Sequence, residues 1–309
     1  MKSGLTSNLL PNLIVIGVYK SGTTSLFSSL SEHPEIYPSR KKEIHHYFPL
    51  VYNTGEPLQS LERYAYNFKG AASERYRLEA SPSYFYGGEA VISKMKEQLE
   101  EGHRIILILR NPIERFVSYF RFIKSRGIIK EEVSFCDFLA KSLDEDDLSN
   151  KLVVGDYKNS IKEGLYSKFI SSWIKEYDSS KLKILFLDDF KAEPNLVMSE
   201  VYEWLGLDDF QLAPVASSIK NKTVMPKNYI LQKIAVLINK KLEYFFRVNP
   251  RLKHILKAIY LALNGDTSYR DDILEEDIVV LRKIYDKHNA ELRLILNEVP
   301  GVKLPKWIE

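Results

Sequence analysis

The sequence predicts an α/β fold with a parallel sheet flanked by helices on both faces and extra helices near the C-terminal end. Short apolar runs rich in branched residues have the length and composition of buried strands. Stretches with helical patterns separate these runs, and this alternation is typical of parallel sheets covered on both faces. We expect strands at 13–17, 77–80, 104–109 and 182–187, and helices at 23–33, 89–101, 112–126, 164–177, 195–206 and 273–297. Ligands of such sheets bind at the carboxyl ends of the strands, so we expect functional residues there.

Composition narrows the class of protein. The 309 residues are 45% hydrophobic and 28% charged, as in an ordinary globular protein, and we expect one domain over 1–309. The net charge of +3 is too small to indicate a nucleic-acid partner. The single cysteine, Cys136, excludes an intramolecular disulfide, and we expect it in the core on a helix. No apolar run reaches ~18 residues and no Cys/His cluster has zinc spacing, which predicts a cytoplasmic protein with no membrane span and no metal.

The segment "LIVIGVYKSGTTSLF" has the order strand, glycine loop, helix. Gly17 and Gly22 have the spacing of a nucleotide triphosphate loop, but Thr23 stands where that loop has lysine, and Lys20 comes earlier. The amides at a helix start bind anions, so the loop predicts a site for phosphate or a phosphosulfate. The hydroxyls of Thr23, Thr24 and Ser25 would add donors. The alternative is a plain strand-to-helix turn.

The segment "LILRNPIERFVSYF" follows the third expected strand. Asn111 and Pro112 are typical of a helix start, and Glu114 would complete a capping box. Arg110 occupies the position where a nucleotide triphosphatase needs a carboxylate for Mg²⁺, which counts against a kinase. Arg110 and Ser118 could clamp a second phosphate. The alternative, a surface arginine beside an unrelated serine, is weakened by the nearby first loop.

Together, "KSGTTSL" and "RNPIERFVSYF" resemble the 5′- and 3′-phosphate motifs of sulfotransferases that use 3′-phosphoadenosine 5′-phosphosulfate (PAPS). The resemblance covers about 12–210 and implies a P-loop-type sheet and no metal requirement. It implies that Lys20 contacts the bridging oxygen of the phosphosulfate. The amides of Ser21 to Thr24 would hold the 5′-phosphate, and Arg110 and Ser118 the 3′-phosphate.

Three further residues are expected at the donor site by the same resemblance. Lys222 and Lys227, in "IKNKTVMPKNYIL", match the late cofactor-binding loop of the family only loosely. Tyr166 occupies a position where many members carry Gly-x-Tyr and would line the cofactor pocket. A core aromatic is the alternative for Tyr166.

The segment "SRKKEIHHYF" resembles the K-E-x-H-F-F segment of glycosaminoglycan sulfotransferases, which carries a catalytic glutamate. This resemblance makes Glu43 the first choice for the base that takes the acceptor's proton. His45 is the second choice, because histidine side chains titrate near neutrality. Lys42 and His46 would contact the acceptor. A solvated charge run is the alternative.

The segment "LEASPSYF" resembles the family pattern E-K-[ST]-P-x-Y-F. The match makes Glu79, Ser81 and Tyr84 expected acceptor contacts. Ala80 departs from the pattern, since it replaces a lysine that assists at the active site of the glycosaminoglycan enzymes. That departure weakens a heparan sulfate assignment, and a carbohydrate or glycolipid is the expected acceptor class.

The segment 230–262 is both apolar and basic and predicts two helices split at Pro250. One interpretation is an interfacial amphipathic segment that docks on an anionic membrane or grips a lipid-linked or anionic acceptor. The favoured interpretation is a lid that packs its apolar stripe on the core and leaves its lysines in solvent.

The sequence therefore predicts transfer of sulfonate from PAPS to an acceptor hydroxyl, giving adenosine 3′,5′-bisphosphate, with Lys20 stabilising the leaving oxygen. Two hypotheses of other classes stay open. One is a kinase-like phosphotransferase with an unusual loop, and the other is a binding module for nucleotides or polyanions without catalysis.

Overall fold

A computed structural model describes residues 9–143, 159–211, 224–266, 269 and 272–308. The strands are β1 (Leu13–Gly17), β2 (Ile36–Pro38), β3 (Tyr76–Ala80), β4 (Arg104–Leu109), β5 (Leu182–Phe186), β6 (Met225–Pro226) and β7 (Gly265–Asp266). The first five helices are α1 (Thr23–Leu30), α2 (Phe48–Tyr52), α3 (Leu61–Ala65), α4 (Gly88–Gln98) and α5 (Pro112–Ser125). The next five are α6 (Phe135–Ser142), α7 (Asn159–Lys162), α8 (Ser167–Glu176), α9 (Leu187–Ala192) and α10 (Pro194–Leu205). The last four are α11 (Tyr229–Lys241), α12 (Glu243–Val248), α13 (Pro250–Asn264) and α14 (Glu275–Asn297).

Strands β1 to β5 form one parallel sheet in the order β2-β3-β1-β4-β5. The alternation along β1 explains how both faces are covered, because successive side chains of a strand point to opposite faces. Ile14 and Ile16 belong to the apolar cluster that includes residues of α4 and α8, whereas Leu13 and Val15 pack with α1 and α10. All four side chains are fully buried. The predicted fold class is confirmed.

The predicted strands and helices are found with small shifts at their ends. The strand expected at 77–80 begins at Tyr76, and the helix expected at 164–177 begins at Ser167. Strand β2 was not predicted, because three residues ending in Pro38 give too short a pattern to recognise. Cys136 lies on α6 as expected but is exposed, so its predicted place in the core was wrong.

The segment 229–264 contains three helices rather than two, because the chain also breaks at Leu242, between α11 and α12. Many of its large apolar side chains are exposed, among them Ile230, Leu237 and Leu263. The favoured expectation, an apolar stripe packed on the core, was therefore wrong for these residues. Within the described part of the chain, no helix is both long and apolar enough to cross a membrane.

Candidate active site

A cleft of about 1010 Å³ opens at the carboxyl edge of the sheet. Segments that follow each of the five strands contribute to its lining. They include Lys20 after β1, Glu43 after β2, Pro82 after β3, Arg110 after β4 and Leu187 after β5. This is the position at which parallel α/β sheets bind their ligands.

The first loop, residues 18–22, leads directly into α1, and the first residues of α1 line the cleft. Gly22 has φ +83°, which favours glycine, and a Cβ there would lie 2.7 Å from Leu187 Cδ1. Because α1 begins at Thr23, the amides of its first turn have no acceptor within the helix and are available to an anion. Thr23, Thr24 and Ser25 all line the cleft. Ser21 does not: its side chain is fully buried and its amide donates to the carbonyl oxygen of Val18, so its predicted role in holding phosphate is not supported.

Lys20 is surrounded by positive charge. Burial, and after it the cations of Arg110 and Arg126, lower the pKa of its ammonium to about 8. Lys20 Nζ also lies 4.0 Å from the centre of the Phe122 ring. A half-buried ammonium whose neighbours are guanidinium groups fits an anionic ligand, because a bound phosphate or sulfonate would neutralise the cluster.

Arg110 is tied to the first loop, since its Nη1 donates to the carbonyl oxygen of Lys20 over 3.1 Å. Its guanidinium also pairs with Glu114 at 3.0 Å. The Asn111 side chain caps α5 by accepting from the amides of Ile113 and Glu114. The Glu114 carboxylate binds Arg110 instead of completing the predicted capping box. Ser118, one turn further along α5, lines the same cleft.

The other expected donor-site residues lie elsewhere. Tyr166 is buried outside the cleft lining, and its hydroxyl donates to the carbonyl oxygen of Arg110 over 2.9 Å. It thus supports Arg110 and does not face the ligand as predicted. Lys227 is exposed and is not part of the lining. Lys222 falls outside the described residues.

Glu43 lies on the irregular segment 39–47, which we call the glutamate loop. Its amide donates to the carbonyl oxygen of Ala80 over 3.0 Å, and its side chain lines the cleft. Lys42 Nζ lies 2.6 Å from one carboxylate oxygen, and His45 Nε2 lies 3.6 Å from the other. Burial alone would raise the pKa of Glu43, but the hydrogen bond with His45 and the charge of Lys42 outweigh it and hold the pKa at about 2. The carboxylate is therefore ionised at neutral pH.

The two histidines of the glutamate loop line a smaller groove of about 350 Å³ and not the main cleft. His45 contacts Glu43 from that side. His46 is buried, stacks on Tyr64 at 4.1 Å between ring centres, and shares a hydrogen bond with Gln98. As placed, His46 holds the loop and does not reach the cleft as predicted. Lys42, also expected to contact the acceptor, acts on Glu43 instead.

The three other expected acceptor contacts are all fully buried and form one hydrogen-bond network. The carboxylate of Glu79 accepts from the hydroxyls of Tyr64, Ser81 and Tyr84. Ser81 Oγ in turn accepts from the amide of His45 over 3.2 Å. Glu79, Ser81 and Tyr84 thus anchor the glutamate loop to β3, which corrects their predicted contact with the acceptor.

Several residues of the lining were missed from the sequence. Arg121 and Phe122 lie on the same face of α5 as Ser118, and Arg126, the residue after its last turn, continues that spacing, so a helical projection from Ser118 would have found them. The others include Lys191 and a group of aromatic residues with no comparable local signal: Tyr19, Phe48, Tyr52 and Tyr119.

A second carboxyl group also lines the cleft. Glu163 is buried and pairs with the buried Arg115, whose Nη1 lies 3.2 Å from Glu163 Oε2. Burial raises the pKa of Glu163 to about 7 even though Arg115 lowers it. Five basic side chains and two acidic ones therefore line the described cleft, and the lining favours anions: Lys20, Arg110, Arg121, Arg126 and Lys191 against Glu43 and Glu163.

Backbone strain is concentrated at this site. Among the described residues, four that are not glycine have a left-handed φ, and three of them are Lys20 (68°), Glu43 (63°) and His45 (59°). The fourth is Asn53, a residue type that adopts this conformation readily. Strained conformations of this kind cost on the order of 1–3 kcal/mol each and persist where surrounding contacts impose them, often at active sites.

Comparison with known proteins agrees with this geometry. Residues 10–243 match the family described as the sulfotransferase domain. The chain belongs to the sulfotransferase domain family. The family and enzyme class predicted from the sequence are confirmed.

Curated relatives support the family assignment. Over 211 residues the chain is 28% identical to the bifunctional heparan sulfate N-deacetylase/N-sulfotransferase 1 of Caenorhabditis elegans, covering 66% of this chain and 23% of the relative. It is 26% identical over 210 residues to the mouse (Mus musculus) heparan sulfate glucosamine 3-O-sulfotransferase 3B1, covering 66% of this chain and 48% of the relative. The aligned region thus spans less than half of the length of these relatives.

A solved sulfotransferase from Alicyclobacillus acidocaldarius has a similar fold. Its TM-score with this chain is 0.57 at 21% identity, covering 77% of this chain and 95% of that one. At this identity, the likeness supports the fold alone.

Proposed function

We propose that this chain transfers the sulfonate group of PAPS to a hydroxyl group of a carbohydrate or glycolipid acceptor. The observation that carries the proposal is that Lys20 and Glu43 line the same cleft, whose charge favours anions. The heparan sulfate names of the relatives are consistent with a sugar acceptor. We propose one domain over 1–309, in which the segment 229–264 forms a helical addition beside the cleft.

The donor supplies an activated sulfonate, and the described residues fit its anionic groups. The amides and hydroxyls at the start of α1 would hold the 5′-phosphate, while Arg110 and Ser118 would hold the 3′-phosphate. In this assignment Arg110 keeps its two observed contacts: its carbonyl oxygen accepts from the Tyr166 hydroxyl, and its Nη1 donates to the carbonyl oxygen of Lys20.

The chemistry is an in-line displacement. The acceptor oxygen forms a bond to sulfur, and the bond between sulfur and the bridging oxygen breaks. Glu43 takes the hydroxyl proton, and the ammonium of Lys20 balances the negative charge that develops on the leaving phosphate. His45 does not line the cleft, so we assign it to positioning Glu43.

The proposal is tested first by binding. Calorimetry with adenosine 3′,5′-bisphosphate in the presence of a chelator should give a clear binding isotherm. In Arg110→Gln we expect affinity to fall about tenfold to a hundredfold, since a hydrogen bond to a charged group contributes about 1.5–3 kcal/mol. Tight binding of Mg·ATP in preference to this ligand would instead support a kinase-like enzyme.

Transfer is tested with labelled PAPS and a panel of sugar and glycolipid acceptors. Glu43→Gln should lower kcat by about 10²- to 10⁴-fold while leaving nucleotide affinity nearly unchanged. His45→Asn should lower kcat less, because His45 acts through Glu43. The reverse ranking would make His45 the base. Tight nucleotide binding by the wild type with no product from any acceptor would support a binding module.

A further inference from the structure

The segment 229–264, which we call the hairpin, begins and ends at the same place on the domain. Its two ends are joined by β6 and β7, in which Met225 pairs with Asp266. Asn264 is buried there, and its side-chain amide donates to the carbonyl oxygen of Asn228. Further along, the hydroxyl of Tyr260 donates to the side chain of Gln232, which ties α13 to α11.

The hairpin carries an exposed apolar face on both of its long helices. On α11 the exposed residues Ile230, Leu231, Ile234, Leu237 and Ile238 fall within an arc of about 120° at 3.6 residues per turn. On α13 the exposed residues fall within about 100°: Leu252, Ile255, Ile259, Leu256 and Leu263. Ile230 is 73% exposed and Leu263 is 71% exposed. Contiguous exposed apolar surface of this extent marks an interaction site.

Charge on the hairpin is strongly one-sided. Its sequence contains seven Lys and Arg residues and one acid, Glu243. That gives the hairpin a net charge of +6, so the remaining chain, within a total of +3, carries −3. At 3.6 residues per turn, the exposed Lys233 lies just outside the apolar arc of α11, and the exposed Lys257 lies on the polar side of α13, opposite its apolar arc. Apolar arcs on helices whose polar side carries lysines are the pattern of helices that lie in the interface of an anionic bilayer.

We propose that the hairpin docks on the surface of a membrane that contains anionic lipids, with its apolar face in the headgroup region. A second copy of this chain fits the same face poorly, because two hairpins of charge +6 repel each other. The lysines would instead meet lipid phosphates, where each basic residue contributes about 1 kcal/mol.

The root of the hairpin connects this surface to the cleft. Met225 of β6 and Tyr269, just after β7, both line the cleft. Arg40 of the glutamate loop stacks on Tyr244 of α12, with 5.1 Å between the guanidinium carbon and the ring centre. Docking would therefore bring the cleft close to the membrane surface, where a lipid-linked acceptor is presented. This last step rests on the proposed sulfotransferase function, whereas docking itself does not.

The test uses the full chain and vesicle co-sedimentation. Wild-type protein should sediment with vesicles of equal parts phosphatidylcholine and phosphatidylglycerol, and much less with phosphatidylcholine alone. The variant Ile234→Ser/Ile255→Ser should bind the mixed vesicles at least about tenfold more weakly. Lys233→Gln/Lys257→Gln should also weaken binding by about tenfold or more. High salt should abolish the difference between this lysine variant and the wild type.

The matched control is Leu294→Ser on α14, which removes a side chain that is 70% exposed away from the hairpin. This variant should bind vesicles like the wild type. Absence of wild-type co-sedimentation, or equal binding by Ile234→Ser/Ile255→Ser, would overturn the proposal. Concentration-dependent dimerisation that this variant loses, without vesicle binding, would assign the face to a second copy instead.

Nucleotide affinity separates this result from the proposed function. Both hairpin variants should bind adenosine 3′,5′-bisphosphate like the wild type. Vesicle binding without nucleotide binding would contradict the sulfotransferase assignment alone, and nucleotide binding without vesicle binding would contradict docking alone.

Discussion

The first loop and the glutamate loop both line the cleft, but they are held by different kinds of contact. The first loop joins β1 directly to α1, and its anion site consists of a helix start, Gly22 and Lys20. The glutamate loop has no regular structure around Glu43. It depends on hydrogen bonds to β3, from the amide of Glu43 to Ala80 and from the amide of His45 to Ser81.

The difference indicates a division of labour. An anion site at a helix start is preorganised mainly by local geometry, and here Arg110 adds a hydrogen bond to the carbonyl oxygen of Lys20. A left-handed glutamate needs support from outside its own segment, and here the buried carboxylate of Glu79 provides it through Ser81. We therefore expect substitutions beneath the glutamate loop to reduce transfer while leaving nucleotide binding intact.

After Glu43→Gln, the largest effect should come from the first loop itself. Lys20→Met removes the cation that faces the developing charge, and kcat/KM should fall about 10²- to 10³-fold, the usual loss for one such electrostatic group. Steady-state kinetics with labelled PAPS measures this. Lys191→Met is the matched control, because Lys191 also lines the cleft but is exposed and pairs with Glu114 only at 3.8 Å. Equal losses in the two variants would mean that general attraction of anions, and not Lys20 at the leaving oxygen, drives the rate.

An intermediate effect is expected beneath the glutamate loop. In Glu79→Gln the new amide cannot accept from all three hydroxyls of Tyr64, Ser81 and Tyr84, so the free energy of unfolding should fall by about 1–3 kcal/mol. Chemical denaturation measures it. The matched control is Glu100→Gln, which removes an exposed pair with Arg77 at 3.5 Å and should cost at most about 0.5 kcal/mol.

Kinetics on Glu79→Gln then tests the division of labour. We expect kcat to fall and the affinity for adenosine 3′,5′-bisphosphate to stay within about twofold of the wild type, because the hydrogen bonds of Glu79 lead to His45 and not to the first loop. A parallel loss of nucleotide affinity would show that the two sides of the cleft are not independent.

The contrast between the first loop and the glutamate loop also explains which features could be predicted from the sequence. The strands, the helices around them and the anion site are encoded in short segments, and Lys20, Arg110 and Ser118 were found from them. The structure brings these residues and Glu43 into one cleft.

The fully buried Glu79 network could not be recognised in the same way. Glu79, Ser81 and Tyr84 look like polar residues at a strand end, and their burial depends on Tyr64 and His46, which come from another part of the chain. The pairing of Arg115 with Glu163 likewise joins residues 48 positions apart. Family resemblance singled out Glu79, Ser81 and Tyr84, but the contacts of all these residues arise from tertiary packing, which a motif does not contain.

The smallest expected effect is a pH dependence of kcat/KM. It compares Lys20 of the first loop with Glu43 of the glutamate loop without a substitution that removes charge at neutral pH. The pKa of Lys20 is lowered to about 8, first by burial and then by Arg110 and Arg126. The ammonium is therefore lost as the pH rises through about 8, and kcat/KM for the donor, which reports the free enzyme, should decline above that pH. In Lys20→Arg the guanidinium stays charged, so this decline should disappear even if the rate is lower throughout.

Glu43 should add no second decline in the same experiment. Its pKa is held at about 2, so it stays ionised at every pH where the protein is assayed. A decline above about pH 8 that persists in Lys20→Arg would assign the titration to another group. In that case the low pKa of Lys20 would be a consequence of its crowded position and not a determinant of the rate.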